Sequence, residues 1–288
     1  MISNEIRKKI RQIQIKTRRA LSGALIGDYT TARKGSGFEF DQIRPYEPGD
    51  DVRFIDWKGS ARSNKLLFKQ YLEERNRNII ICADVSSSSM FSSSDQLKMD
   101  IIGQIAAVIG VVSEYGKDRT SLVLFSDKIE KFIAPGVGSS HLQQIINSIF
   151  NFKLEKNVST DINVVLERIF KLHLENSVIF LISDFITEKS FEKNLKILSK
   201  KSDIIAIRCL DLMEKKFPAV GILNLVDLET GKKLTLKSSD KSISNIQKSF
   251  IEEQNKILKK GKVDILDLDL KIDFIPILVK FFKKRLMY

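Results

Sequence analysis

The strongest constraint on the fold is the run from Ile79 to Ser89, in which five apolar residues lead into Asp84, Val85 and four consecutive serines. An apolar segment of this length that ends in a serine-rich turn is typical of a fully buried strand in a parallel sheet. The polar end of such a strand lies at the carboxyl edge of the sheet, where open α/β folds bind ligands. Asp84, Ser86 and Ser88 supply hard oxygen donors there, which suit Mg²⁺ or Mn²⁺ and match zinc poorly.

From residue 77 to 288 the chain alternates between strand and helix patterns. Apolar runs predict strands at 79–84, 120–125, 128–133, 178–183, 203–209 and 263–268. Amphipathic periodicity predicts helices at 95–115, 139–150, 161–173, 188–200, 242–259 and 273–286. A separate hairpin is predicted near 219–237. This alternation favours an α/β fold built on a doubly wound, mostly parallel sheet.

The first 76 residues have a different texture, and we interpret 1–76 as an appendage to the 77–288 domain. Residues 2–24 follow the pattern of a basic amphipathic helix. Between residues 35 and 78, glycine and proline break the chain into short segments, so a small β-rich region of short strands and turns is expected. The many charges of this region predict Arg–carboxylate pairs, and Trp57 is expected to be a packing anchor.

Three loops are expected to converge at the carboxyl edge of the sheet. The first carries Asp84, Ser86 and Ser88, the second carries Thr160 before a predicted helix, and the third carries Asp184 after another apolar strand. If both apolar strands are central and parallel, Asp84 and Asp184 emerge on the same edge, close to the point where the strand order reverses. Three hydroxyls and two carboxylates can hold an octahedral cation that keeps some of its waters.

The pattern Asp84-x-Ser86-x-Ser88, with a later Thr160 and a strand-end Asp184, resembles the metal-ion-dependent adhesion site (MIDAS) of von Willebrand factor A domains. Further segments resemble the hallmark sequences of the bacterial domain-of-unknown-function 58 family. They are 35–40, 44–53, 55–57, 60–62, 211–214, 220–221, 227–231 and 281–285. The resemblance extends over nearly the whole chain from about residue 20.

This resemblance implies a von Willebrand A-like fold and a divalent-cation site in a protein that binds and does not catalyse. The metal-binding positions carried over from the family are Asp84, Ser86, Ser88, Thr160 and Asp184. The hydroxyls would bind Mg²⁺ or Mn²⁺ directly, and the carboxylates directly or through water. Ser159 is an alternative to Thr160, because Asn157-Val-Ser159 stands where glycine is common before the threonine.

The resemblance also implies a partner. The family is frequently paired with MoxR-type AAA+ ATPases, so an adaptor or co-chaperone role with such an ATPase or its client is expected. The net charge of +12 is spread along the chain without interleaved aromatic residues, and no nucleic-acid partner is expected. With two cysteines and no apolar run near the ~20 residues that span a bilayer, the sequence predicts a cytoplasmic protein, and membrane association has no support from a spanning segment.

Two other functions are left open by the residues. Asp84 and Asp184 could serve a Mg²⁺-dependent phosphoesterase or nuclease, although a hydroxyl-rich ligand set favours capture over water activation. The sequence has no G-x-x-x-x-G-K-[ST], G-x-S-x-G or H-E-x-x-H motif that would indicate a familiar enzyme class. The basic stretch 7–19 could bind an anionic membrane surface.

Overall fold

The structure is a computed structural model that describes most of the chain. The described residues are 39–63, 65–72, 77–93, 96–153, 155, 157–174, 177–187, 189–215, 221–229, 231–237, 241–270 and 273–286. They divide into two compact units, with the boundary between Asn76 and Arg77.

The smaller unit contains short elements, as the glycine- and proline-rich sequence predicts. Strands β1 (Glu39–Pro45) and β2 (Leu67–Leu72) pair antiparallel, and between them lie a 3₁₀ helix (Val52–Phe54) and helix α1 (Trp57–Ser63). The guanidinium of Arg44 donates to both carboxylate oxygens of Asp50, at 2.7 and 2.6 Å, which confirms an Arg–carboxylate pair in this region. The expectation that Trp57 anchors the packing is wrong, because the indole is 65% exposed at the start of α1.

The larger unit is built on a six-stranded sheet. Its strands are β3 (Asn78–Asp84), β4 (Arg119–Phe125), β5 (Ile129–Gly136), β6 (Ser177–Ser183), β7 (Asp203–Leu210) and β10 (Asp264–Asp269). Between β7 and β10 the chain forms a separate hairpin of β8 (Ile222–Val226) and β9 (Lys233–Lys237). The spatial order is β10-β7-β6-β3-β4-β5, and only the β4–β5 pair is antiparallel. The predicted doubly wound, mostly parallel α/β fold is confirmed.

Helices cover both faces of this sheet. Helices α2 (Lys98–Tyr115), α3 (Ser139–Phe150) and α8 (Phe274–Leu286) pack on one face, and α4 (Ile162–Leu172), α5 (Glu192–Leu198) and α7 (Lys241–Lys260) pack on the other, with the short α6 (Leu212–Lys215) following β7. Along β3, Ile81 faces the first helical layer while Ile80 and Cys82 face the second. A strand that is buried on both faces needs apolar residues at every position, which explains the unbroken run from Ile79.

The strand order reverses beside β3. The chain passes from β3 to β4 and β5 on one side, and then returns to β6 on the other side of β3. Strands β3 and β6 are parallel neighbours, and Ala83 pairs with Ile182, so their carboxyl ends lie side by side. Asp84 ends β3, and Asp184 directly follows β6. The fold therefore places both acids at the reversal point, where open sheets form their ligand-binding crevice.

The predicted helix at 2–24, with its basic stretch 7–19, lies outside the described residues. Among the helices of the described segments, none combines the length and the apolar character of a membrane span.

The two-sided core generates a stability prediction. Ile102 on α2 is fully buried, whereas Ile197 on α5 is 42% exposed. We expect Ile102→Ala to lower the free energy of unfolding by about 2–5 kcal/mol, because it leaves a cavity in a close-packed layer. Ile197→Ala should change it by less than about 0.5 kcal/mol. Urea unfolding followed by circular dichroism measures both values, and equal losses in the two variants would contradict this packing.

Candidate metal centre at the carboxyl edge of the sheet

Asp84 lies at the base of the candidate site and is 1% exposed. Its Oδ1 accepts from the backbone N–H of Ser86 at 2.9 Å, and its Oδ2 accepts from the hydroxyl of Ser183 at 2.6 Å. Ser183 is the last residue of β6, so this second bond joins the ends of the two central strands. The carboxylate is therefore held in one orientation from both sides.

Beside Asp84, three oxygen atoms follow one another across the ends of β3 and β6. Ser86 Oγ is 3.1 Å from Ser88 Oγ, and the Ser88 hydroxyl donates to Asp184 Oδ2 at 2.8 Å. We call Ser86 Oγ, Ser88 Oγ and Asp184 Oδ2 the oxygen row. The oxygen row, together with the hydrogen bond from Ser86 N–H to Asp84, links four of the five predicted ligand residues. They are Asp84, Ser86, Ser88 and Asp184.

The backbone after β6 fixes the direction of Asp184. Its Oδ1 accepts from the N–H of Ile186 at 2.9 Å, and this bond leaves Oδ2 facing Ser88 as the third member of the oxygen row. The next residue, Phe185, is buried with a φ of 60°, a conformation that few non-glycine residues adopt. The carbonyl of Phe185 accepts from the side-chain amide of Gln254 on α7. Strained backbone held in this way is a common feature of binding sites.

Thr160, the fifth predicted ligand, lies in the loop before α4. Its hydroxyl donates to Glu229 Oε1 at 3.0 Å, and its backbone N–H lies 3.3 Å from Glu229 Oε2. Its carbonyl accepts from the hydroxyl of Thr187 at 2.8 Å. The next residue, Asp161, caps α4 by accepting from Asn163 N–H at 3.0 Å, as its position before the predicted helix suggests. Among the contacts of the described residues, Thr160 bonds to the hairpin loop and not directly to the oxygen row.

A cavity of about 460 Å³ is lined by both Thr160 and Ser88, the middle residue of the oxygen row. Its polar lining residues are Ser88, Ser159, Thr160, Thr187, Lys189, Glu214, Asp227 and Glu229. Its apolar lining residues are Phe91, Ile186, Val226, Leu228 and Phe250. Ser159, the alternative to Thr160, lines the same cavity, so the two neighbours share access to it.

A buried lysine at the site was not anticipated from the sequence. Lys98 starts α2 and its side chain is 0% exposed. Its ammonium is 2.8 Å from Asp184 Oδ2 and 2.6 Å from Glu214 Oε1. Glu214 is held in turn by the backbone N–H of Asp211, which donates to Glu214 Oε2 at 2.8 Å. A lysine at the first turn of an amphipathic helix is usually exposed, so the pattern carried no signal for this contact.

The site carries an excess of negative charge. Burial, and then the charge of Asp184, raise the pKa of Asp84 to about 6. Burial, together with the charges of Asp184 and Asp84, raises the pKa of Glu229 to about 7. Although burial alone would lower the pKa of Lys98, the charges of Asp184 and Glu214 raise it above the ordinary value. The Lys98 ammonium contacts two of these carboxylates, Asp184 and Glu214, and the charge of Asp184 also contributes to the raised pKa values of Asp84 and Glu229. Such an electrostatic environment favours a further cation.

The oxygen spacings fit a small divalent cation. Neighbouring ligands of an octahedral Mg²⁺ with bonds of about 2.0–2.1 Å lie about 2.9 Å apart. The separations of 3.1 and 2.8 Å within the oxygen row are hydrogen-bond distances that are also compatible with that spacing. Among the described residues no group of three or more His, Cys, Asp and Glu side chains forms a metal cluster, so the donor set depends on hydroxyls. Hydroxyl and carboxylate oxygens are donors for Mg²⁺ or Mn²⁺.

Comparisons with known proteins relate most of the chain to one protein family. The family described as "Protein of unknown function DUF58" matches residues 42–256. The uncharacterized protein Rv1480 of Mycobacterium tuberculosis is 25% identical over 223 residues, which are 77% of this chain and 70% of that protein.

Two solved structures are similar to this chain. The conserved hypothetical protein BatB from Bacteroides thetaiotaomicron is 13% identical, with 74% of this chain and 100% of that chain covered and a TM-score of 0.51. The VWA domain of SpRpn10 is 9% identical, with 71% of this chain and 94% of that chain covered and a TM-score of 0.43. The likeness to BatB concerns the α/β fold alone.

Lys98 generates a second stability prediction. Lys98→Met removes the ammonium and leaves Asp184 and Glu214 buried as uncompensated charges, so we expect a loss of about 3–5 kcal/mol in the free energy of unfolding. The control is Lys196→Met, which breaks an exposed pair with Glu192 at 2.6 Å and should cost less than about 1 kcal/mol. Urea unfolding in a buffer with EDTA measures both, and a loss for Lys98→Met as small as the control's would rule out a structural role.

The raised pKa of Asp84 generates a pH prediction. Between its ordinary value of 3.8 and its folded value of about 6, the folded protein binds more protons at Asp84 than the unfolded chain does. This group therefore lowers the free energy of unfolding as the pH rises through that window. In EDTA, the difference in stability between wild type and Asp84→Asn should shift in favour of the variant from about pH 4 to about pH 6. A constant difference across this window would contradict the assignment.

Proposed function

This chain belongs to the DUF58 family, whose members are described as proteins of unknown function, and we propose that it is a non-enzymatic adaptor that captures a carboxylate of a protein partner through a divalent cation. In this proposal Asp84, Ser86, Ser88, Thr160 and Asp184 hold Mg²⁺ or Mn²⁺ in a von Willebrand A-like domain. The bound cation supplies a positive charge with an open coordination position. Ser88 and Thr160, which line the cavity, would place that charge beside it.

The observation that carries the proposal is the oxygen row. Two of its three donors, Ser86 Oγ and Ser88 Oγ, are neutral hydroxyls. Neutral donors leave more positive charge on a cation than carboxylates do, so the remaining position attracts an anionic ligand. Lys98 strengthens this effect because its ammonium, 2.8 Å from Asp184 Oδ2, already neutralises part of that carboxylate. The arrangement suits the capture of a carboxylate better than the activation of a water molecule.

The cavity next to the oxygen row suits a protein ligand. At about 460 Å³ it has room for a few side chains, and Phe91, Ile186 and Phe250 give it an apolar wall. A partner segment could place an acidic side chain at the oxygen row and an apolar neighbour against that wall. On the family resemblance, we propose that the partner is a MoxR-type AAA+ ATPase or a client that it remodels, in the cytoplasm.

The first test is metal binding. Isothermal titration with Mn²⁺ should show one site in the wild type, and Ser88→Ala should weaken it by about 10-fold or more, as the loss of a ligand or of its support commonly does. Ser140→Ala, at an exposed position of α3, should bind as the wild type does. Equal affinity in all three proteins, or no binding to the wild type, would contradict the proposal.

The second test is partner capture with the same variants. A purified MoxR-type ATPase should be retained by the immobilised wild type in Mg²⁺, and released by EDTA or by Ser88→Ala. If the ATPase is retained equally well with EDTA and by the Ser88→Ala variant, the interface lies on another surface of the protein. Metal-dependent hydrolysis of bis-p-nitrophenyl phosphate that is lost in Asp84→Asn would favour the phosphoesterase instead.

A further inference from the structure

The ammonium of Lys98 shares an oxygen atom with the candidate metal centre. It lies 2.8 Å from Asp184 Oδ2, and the hydroxyl of Ser88 donates to the same oxygen at 2.8 Å. Asp184 Oδ2 is the carboxylate member of the oxygen row. A cation bound at the oxygen row and the Lys98 ammonium therefore both draw on the charge of one carboxylate oxygen.

The Lys98 side chain is fixed in this position by a second carboxylate. Its ammonium contacts Glu214 Oε1 at 2.6 Å, and the side chain is 0% exposed. Glu214 is held in turn by the backbone N–H of Asp211, which donates to Glu214 Oε2 at 2.8 Å. An ammonium that is paired with two carboxylates stays protonated. Lys98 is thus a permanent positive charge beside the centre.

A fixed positive charge beside the centre acts in opposite directions on its two ligands. It repels the divalent cation, and it attracts the carboxylate that the cation captures. Salt and water screen this effect weakly, because the Lys98 side chain is removed from solvent. Lys189, which lines the cavity, is 65% exposed and pairs with Asp161 at 2.7 Å, so solvent screens its charge far more strongly. Of these two lysines, Lys98 is the one whose charge acts on the centre.

We propose that Lys98 is a positioning residue that acts through Asp184 and sets the balance between metal affinity and carboxylate affinity at this centre. This inference rests on the proposed function and adds its regulation. The repulsion from Lys98 keeps the cation weakly held in the free protein, and the carboxylate of a bound partner offsets that repulsion. By thermodynamic linkage, the partner's carboxylate raises the affinity for the cation by the same factor by which the cation raises the affinity for the partner.

A purely structural role of Lys98 predicts a different result. If the ammonium only holds Asp184 in place, its loss disorders a ligand of the cation, and the binding of the cation weakens. The binding of a carboxylate to that cation then weakens as well. A role through charge instead moves the two affinities in opposite directions, and this difference in sign is what the experiment reads.

The test uses two variants that change the charge in opposite directions. Lys98→Met removes the positive charge, whereas Glu214→Gln keeps the side-chain volume and removes a negative charge that offsets Lys98. The control is Lys196→Met, which breaks an exposed pair with Glu192. The EPR signal of free Mn²⁺ measures the affinity for the metal. The Mn²⁺–¹³C coupling in pulsed EPR measures the affinity of the loaded protein for ¹³C-labelled acetate.

We expect Lys98→Met to bind Mn²⁺ about 10-fold or more tightly than the wild type and, once loaded, to bind acetate about 10-fold or more weakly. Glu214→Gln should bind Mn²⁺ more weakly and acetate more tightly than the wild type, because the charge of Lys98 is then less compensated. Lys196→Met should match the wild type in both affinities, since its charge is exposed and screened.

The outcomes separate this inference from the function on which it rests. If the wild type binds Mn²⁺, any result for Lys98→Met other than opposite shifts of the two affinities overturns the role of Lys98, while the metal centre stands. If the wild type binds no Mn²⁺, the proposed function fails and the inference fails with it. Should Lys98→Met not fold, Glu214→Gln decides: unchanged affinities, or tighter binding of Mn²⁺, would overturn the inference.

Discussion

The ion pairs of the buried Lys98 ammonium with Asp184 and Glu214 are the interactions on which the carboxyl edge of the sheet depends. The ammonium lies between Asp184, which follows β6, and Glu214 on α6, and so it ties the start of α2 to both. A charge that is removed from water is tolerated only when it is paired and hydrogen-bonded, because each buried ion costs several kcal/mol of desolvation. The three groups therefore have to be placed together, and this requirement fixes where Asp184 presents its second oxygen to Ser88.

The same electrostatics connects the site to its proposed role. Lys98 balances part of the negative charge, while the hydroxyls of Ser86 and Ser88 add donors without adding charge. A cation held in such a site keeps enough charge to bind one more carboxylate. In the proposed function that carboxylate belongs to the partner.

Much of the larger unit could be predicted from the sequence. Each predicted strand and helix from 79 onward is present within a few residues, including the β4–β5 hairpin and the hairpin that carries Glu229. The placement of Asp84 and Asp184 on one edge is confirmed, because it follows from two apolar runs that end in an acid. The role of these residues as metal ligands stays a prediction. In the smaller unit the exposed Trp57 was predicted wrongly, since size alone does not bury an indole in a region with little core.

What the sequence determined by itself is local: the periodicity of apolar residues sets the elements, and the polar residues at strand ends set which edge can bind a ligand. The tertiary structure alone decided which charges meet. Lys98 contacts partners 86 and 116 positions away, and Thr160 contacts Glu229 across 69 positions. Such pairs leave no periodic trace, because the free energy that brings them together comes from packing the helices and the hairpin around the sheet and not from their own neighbours in the chain.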